Sequence, residues 1–218
     1  MTREHWLSLD EPFAEHSSLR WALITFAVCF ACWHVTTNLL INESPIWQNA
    51  IHFGGFALLA SIVFPGRLFG RSSLVLDLIY GASVAAAACW VVAAESRIYE
   101  ETLAITGQSW QFNIFDWTAG LLLIFAALDF SRRVSGWVIP LLIIVSVSYI
   151  LFLGEHLPGV FRTASLPLDD VLFRTIYNDE GLFGILANIS SSYSASFMIY
   201  GGIQVVAGAP DFVIHLST

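Results

Sequence analysis

Six stretches of this chain are apolar enough, for long enough, to cross a lipid bilayer. A bilayer's hydrocarbon core is about 30 Å thick, so a spanning helix needs about 20 mostly apolar residues. The stretches are Trp21–Ile41, Ile46–Phe64, Leu74–Ala94, Phe115–Phe130, Val134–Leu153 and Phe183–Val206. Helices are expected, because in lipid each backbone N–H and C=O must then be satisfied within its own segment. The alternating pattern of a membrane-barrel strand is absent. The expected fold is an all-α integral membrane protein with about six transmembrane helices and one short interfacial helix.

Composition agrees. Of 218 residues, 56% are hydrophobic and 12% charged, about half the charged share of an ordinary soluble domain. So few polar side chains cannot cover a water-facing surface, which excludes a soluble enzyme and a disordered chain. The formal charge is −8, from nine Arg, no Lys and seventeen acids. That sign excludes a nucleic-acid binder, which needs a cationic face. The three cysteines, Cys29, Cys32 and Cys89, all lie in apolar runs and do not form a disulfide framework. The first twenty residues hold four acids and two Arg, and no small-residue cleavage pattern follows the first apolar run. That run is expected to be a true first span and not a signal peptide.

Arg placement sets the expected orientation. With a cytoplasmic N-terminus, the inside segments hold Arg3, Arg20, Arg67, Arg71, Arg132 and Arg133, and the outside segments hold Arg97, Arg162 and Arg174. Trp21 and Trp137 then mark the inner interface, and Trp47, Trp90 and Trp117 the outer one. Two outer connections are long, Glu95–Ile114 and Gly154–Glu180. The second carries a short helix from about Pro167 to Tyr177, with Ser165 as a possible cap and Asp169 and Asp170 near the positive end of its dipole. Leu168, Val171, Leu172 and Ile176 share one face. That face either lies on the membrane surface or packs on other protein segments.

The last span differs from the other five. It is rich in Gly and Ser and carries Asn188, so its backbone can approach other helices closely. It is expected to be surrounded by protein, while the other five have flanks suited to lipid.

A few residues are candidates for chemistry. Asp77 lies about one turn into the third span, where an ionisable group is either functional or simply reaches the headgroups. Asp129, Arg132 and Arg133 crowd the bend between spans four and five; Asp129 and Arg133 are four apart and can pair on a continuous helix. Otherwise the two Arg anchor the topology and meet anionic lipid. His34 and His52 fall at similar depth on adjacent spans, a spacing suited to haem or a metal, or to plain interhelical hydrogen bonds. Cys29 and Cys32 have Cys-x-x-Cys spacing, but Trp33 stands where a haem-attachment His would be. No nucleophile-elbow, zinc-protease or phosphate-loop motif is present, so no enzyme is indicated and no catalytic residue is assigned.

The second half carries a specific order of residues. Asp116-Trp117 opens span four, with Gly120 after it. Asp129-Phe130-Ser131-Arg132-Arg133-Val134-Ser135-Gly136-Trp137 follows, then Pro140 and Tyr149. Next come Leu157-Pro158-Gly159, Tyr177 and Gly181-Leu182-Phe183-Gly184. Ser190-Ser191, Phe197, Gly201-Gly202, Gly208 and Phe212 complete it. This order resembles the fused permease of TRAP (tripartite ATP-independent periplasmic) transporters, the type served by a TAXI-class binding protein. In the first half, Ala50-Ile51-His52-Phe53 with Phe64-Pro65, and then Asp77, are a weaker match. Asp129 stands where the family usually has Glu, and Gln48 and Asn49 where it often has Arg.

The resemblance implies three segments: a cytoplasmic stretch 1–19, a small-subunit-like membrane domain 20–114, and the opening of the large permease domain 115–218. It implies sodium-coupled uptake of an organic acid across the bacterial inner membrane, with a multi-pass chain whose N-terminus is cytoplasmic. The partners it implies are membrane lipid, the remainder of the large permease domain and a periplasmic TAXI-type substrate-binding protein. The family's ion- and substrate-binding motifs fall beyond a point like Thr218, so the chain is expected to be a split or truncated scaffold portion with no resident cofactor. His52, Asp77, Asp129, Arg132, Arg133, Ser190 and Ser191 are its candidate functional residues. The competing readings are a haem- or metal-binding membrane subunit using His34 and His52, and a stand-alone membrane assembly protein.

The orientation has a direct test. In a cysteine-free background, a single cysteine at Ser135 should react with a membrane-impermeant maleimide only after the inner face is opened. Labelling in intact cells would place the Arg132–Arg133 bend outside and overturn the expected topology.

Overall fold

The computed structural model describes residues 17–40, 44–63, 74–104 and 110–216. The described residues are 86% helical, with no strand among them. Five of its helices are long and apolar enough to cross a membrane: Trp21–Leu40, Pro45–Val63, Leu74–Glu100, Ile114–Ser135 and Val138–His156. They match the first five expected spans. The expected connection at 64–73, with Arg67 and Arg71, and the first sixteen residues, with Arg3, lie outside the described residues.

The helices are α1 (Ser17–Leu40), α2 (Pro45–Val63), α3 (Leu74–Ala104), α4 (Ile114–Ser135), α5 (Val138–Ser148), α6 (Leu168–Leu172), α7 (Ile185–Ile189), α8 (Ala195–Val206) and α9 (Ala209–Leu216). Wider π-helical turns continue α5 (Tyr149–Leu153), continue α6 (Phe173–Tyr177), and join α7 to α8 (Ser190–Ser194). The chain divides into two compact units, one of residues 1–42 with 192–218 and one of residues 43–191. These units do not coincide with the stretches 20–114 and 115–218 distinguished by resemblance.

In the larger unit, α3 packs along α2 on one side and α4 on the other. The shared core is built largely of small and branched residues: Ala50, Ala57, Val84, Ala87, Ala88, Val91, Ala94, Ala119, Leu123 and Ala126. Small side chains let the helix backbones approach, which is how helices associate where hydrocarbon supplies no hydrophobic drive. The closest approach is at Gly81. A methyl group there would lie 2.3 Å from Ser61 Oγ and 3.1 Å from Leu58 Cα.

Three boundaries differ from expectation. The polar stretch after Ala94 is not a loop at its start, because α3 runs on to Ala104. Residues 95–104 contain no Gly or Pro, so leaving the apolar zone does not end the helix. Arg132 and Arg133 occupy the last turn of α4 and not a loop. The helix stops at Gly136, whose φ of 78° places it in the left-handed region and whose N–H donates to Arg132 O at 3.0 Å. Span five therefore begins at Val138, not Val134, with Pro140 in its first turn, where a missing N–H costs nothing.

The third correction concerns the short helix. It spans 168–177, but Ser165 does not cap it; Pro167 holds the cap position and the Ser165 hydroxyl donates to Glu155 Oε1 at 2.7 Å. Its apolar face is Leu172, Phe173, Ile176 and Tyr177, while Leu168 is exposed. That face packs on α3 and α4, with the Phe173 ring stacked on Trp110 at 3.4 Å between centroids. Of the two surfaces it was expected to meet, protein is the one it covers.

The close contact at Gly81 sets a stability prediction. Gly81→Ala should lower resistance to unfolding by about 1–3 kcal/mol, the usual range for overpacking. Gly201→Ala, where nothing lies within 4 Å of the added methyl, should stay within about 0.5 kcal/mol. Unfolding in bicelles, followed by tryptophan fluorescence, reads both.

Candidate functional site

Three polar clusters stand among the apolar helices, and the seven candidate residues fall into two of them. The first surrounds the π-helical turn Ser190–Ser194. Asn49 and His52 lie three apart on α2, so both face the same way. The Asn49 amide N–H donates to Phe183 O at 2.7 Å and to Gly184 O at 3.4 Å. Its carbonyl oxygen accepts from the Ser191 hydroxyl at 2.7 Å. His52 Nε2 stands 3.0 Å from Ser190 Oγ. Asn49 and Ser191 are wholly buried and His52 nearly so. One turn of α2 therefore reads two successive serines and the backbone just before α7. The His52–Ser190 pair can carry a proton in either direction according to the imidazole tautomer.

The second cluster joins α3 to the last turn of α4. The Asp129 carboxylate accepts from both neighbouring guanidiniums: Arg132 Nη2 at 2.6 Å and Arg133 Nε at 2.7 Å. Arg133 Nη1 lies 3.8 Å from Asp77 Oδ1, and the Arg133 guanidinium also sits over the rings of Tyr80 and Phe130 at 5.5 and 5.4 Å. Arg132 covers Trp137 at 5.4 Å. The expected Asp129–Arg133 pair forms, because α4 runs on through both residues. Asp77 does not reach out to headgroups; it is buried and turned toward Arg133. Two carboxylates and two guanidiniums leave the cluster neutral, as a low-dielectric site requires.

The third cluster centres on Asp116, which none of the candidate residues anticipated. Asp116 is fully buried in the first turn of α4. Arg97 Nη2 from α3 bonds both its oxygens, at 2.7 and 2.6 Å. Trp90 Nε1 donates to Oδ1 at 3.0 Å and the Asn113 backbone N–H to Oδ2 at 2.8 Å. Asn113 in turn accepts from the Asp116 N–H at 2.9 Å, closing a reciprocal helix cap. Tyr177 donates to Asp116 O at 2.8 Å. Burial and then the Asp116 carboxylate push the Tyr177 phenol well above its ordinary value, so it stays a donor. Trp90, expected as an interface anchor, is thus tied to a buried carboxylate. Two sequence signals mark this cluster: the Asn113-x-x-Asp116 cap spacing, and opposite charges at facing ends of consecutive helices.

His34 and His52 belong to different compact units. His34 is buried, its Nδ1 2.8 Å from Phe30 O and its ring edge-on to Phe30 and Trp33. Cys29, Cys32 and Cys89 are free thiols on exposed helix faces. Among the described residues no group of three or more His, Cys, Asp or Glu side chains is placed to hold a metal ion. In the smaller unit, Asn38 on α1 donates to Ser192 O at 3.4 Å and to Ser196 Oγ at 3.5 Å.

No family model, curated protein or solved structure matches the chain.

The first cluster predicts a coupled loss. Asn49→Ala strands the Phe183 carbonyl and the Ser191 hydroxyl, and should lower stability by about 1–3 kcal/mol. A double-mutant cycle with Ser191→Ala should return a coupling of about 0.6–1.7 kcal/mol, the range for interhelical hydrogen bonds in membranes. Zero coupling would show that the two side chains do not act as a pair.

Proposed function

We propose that the chain is the bracing part of a membrane transporter driven by an ion gradient, of the TRAP type, for uptake of organic acids. In this reading it crosses the bacterial inner membrane six times with its N-terminus inside. Sodium is the coupling ion, and a periplasmic TAXI-type protein delivers substrate. The chain itself performs no covalent chemistry; it holds a moving domain in the bilayer.

The observation that carries this reading is the state of the last long helical run. That run, residues 185–206, is interrupted by a π-helical turn and is not among the five helices apolar enough to count as spans. The expectation that protein surrounds it is not met within the chain. Leu186, Phe197, Met198, Ile203 and Val206 are all more than 60% exposed, and nothing lies within 4 Å of where a methyl on Gly201 or Gly202 would be. An open face of small and apolar residues suits a surface on which another helix closes. Interrupted helices recur in transporters near the moving parts. By contrast α2, α3 and α4 are pinned by two neutral charge clusters and a shared core, as a brace should be.

The test is uptake by cells. Deleting the coding sequence should abolish ion-gradient-dependent accumulation of at least one labelled organic acid, and restoring it should recover the activity. Gly202→Leu should reduce accumulation to near the deletion level while the chain remains in the membrane at unchanged abundance. If a broad panel of organic acids is taken up equally with and without the chain, the transporter reading fails.

A further inference from the structure

A shallow groove runs along the seam between α3 and α4, beside the Asp116 cluster, with which it shares Trp90. Its volume is about 210 Å³, and its walls are Ala87, Trp90, Phe115, Thr118, Ala119 and Leu122. Ala87 and Ala119 form the floor, both nearly buried, so the seam is hollow because two methyl groups fill it incompletely. Trp90 and Phe115 form one end, their rings 5.4 Å apart and partly exposed.

Only two lining side chains carry polar groups, and both are satisfied inside the protein. The Trp90 N–H donates to Asp116 Oδ1 at 3.0 Å, and the Thr118 hydroxyl to Phe115 O at 3.1 Å. The groove therefore has no claim on water or on a polar ligand. It is also smaller than the roughly 300–1,000 Å³ of a site for a drug-sized molecule. Both flanking helices are long and apolar enough to lie in a bilayer, so the medium that meets the groove is hydrocarbon.

We propose that this seam binds one acyl chain of a zwitterionic phospholipid. A chain lying in it fills the hollow between Ala87 and Ala119, whose walls would otherwise lack partner atoms on that side. The charges beyond the Trp90 end argue for the headgroup. Asp116 lies in the first turn of α4, which puts this end near the membrane boundary. Arg97 stands seven residues beyond Trp90 on the same face of α3, about 10 Å along the helix. Glu100 stands three residues beyond it on the same side of the helix, and its own partner is Asp116. Acids outnumber the one guanidinium, so an anionic headgroup is repelled. A headgroup with its own ammonium can set phosphate toward Arg97 and ammonium toward Glu100.

The test uses the full chain in nanodiscs with a trace of phospholipid bearing a diazirine on one acyl chain. The probe carries either a phosphoethanolamine or a phosphoglycerol headgroup. After photolysis, adducts mapped by mass spectrometry should concentrate on residues 87–90 and 115–122. The adducts should be enriched several-fold over Leu141 and Leu142, exposed on α5. Thr118→Trp, at an exposed lip of the groove, should abolish the enrichment, and the phosphoethanolamine probe should outperform the phosphoglycerol one. Uniform labelling of the unaltered protein, or enrichment that survives Thr118→Trp, overturns the site. Equal yields from the two probes overturn the headgroup assignment. The mapping involves no uptake measurement, so its failure and that of the transporter reading are separable.

Discussion

Hydrocarbon cannot hydrogen-bond, and the arrangement of the buried charges on these helices follows from that. A charge or amide left facing lipid costs several kcal/mol, so each must find its partner within the protein. The Asp77–Asp129–Arg132–Arg133 group meets this by charge balance, and Asp116 by accepting from Arg97, Trp90 and the Asn113 backbone at once. Each group links α3 to α4, the first at the start of α3 and the second toward its far end. Between them the seam is apolar, floored by the nearly buried Ala87 and Ala119. Two polar clasps separated by a dry seam fix both the register and the rotation of the pair. A buried ion pair adds little net stability over apolar packing, but a misaligned one is strongly penalised, so its effect is on specificity.

What the sequence made legible was whatever depends on one helix at a time. Apolar length located the first five spans, since burial of about 20 residues in lipid is a property of composition. The Asp129–Arg133 pair was legible because spacing of four on a helix needs no knowledge of the fold. Helix ends were less so. Hydropathy reports where lipid stops, whereas the helix stops where hydrogen bonding does, as the extension of α3 to Ala104 and the break at Gly136 show.

Contacts between helices were the hidden part. Asp77 was visible as an oddity but its partner Arg133 is 56 residues away, and nothing local selects it. Arg97 and Asp116 belong to different helices; in the sequence the one counts only as an outside charge and the other only as part of a residue order. Asn49 was noted only for not being a cation, although it makes the most buried hydrogen bonds of α2. Ser165 looked like a cap because it precedes a proline by two residues; the Glu155 carboxylate, ten residues earlier, takes its hydroxyl instead. A charged acceptor makes the stronger bond, so the cap is forgone.

The serine-rich stretch before α8 gains a different meaning from the same constraint. A π-helical turn carries one residue more than an α-turn, so the regular backbone bonding around it is displaced. In water the released carbonyls would be solvated; in lipid they need donors from side chains. The hydroxyls supply these. Ser191 Oγ donates to Asn188 O at 3.2 Å as well as to Asn49, Ser196 Oγ donates to Ser192 O at 2.7 Å, and the Asn38 amide also reaches Ser192 O. The hydroxyls of Ser191 and Ser196 are thus part of the backbone's own hydrogen bonding, while that of Ser190 pairs with His52. A helix that widens in this way can use such residues whether or not a solute ever touches them. The small side chains read from sequence as a site for close approach are, at these positions, what allows the helix to be interrupted at all.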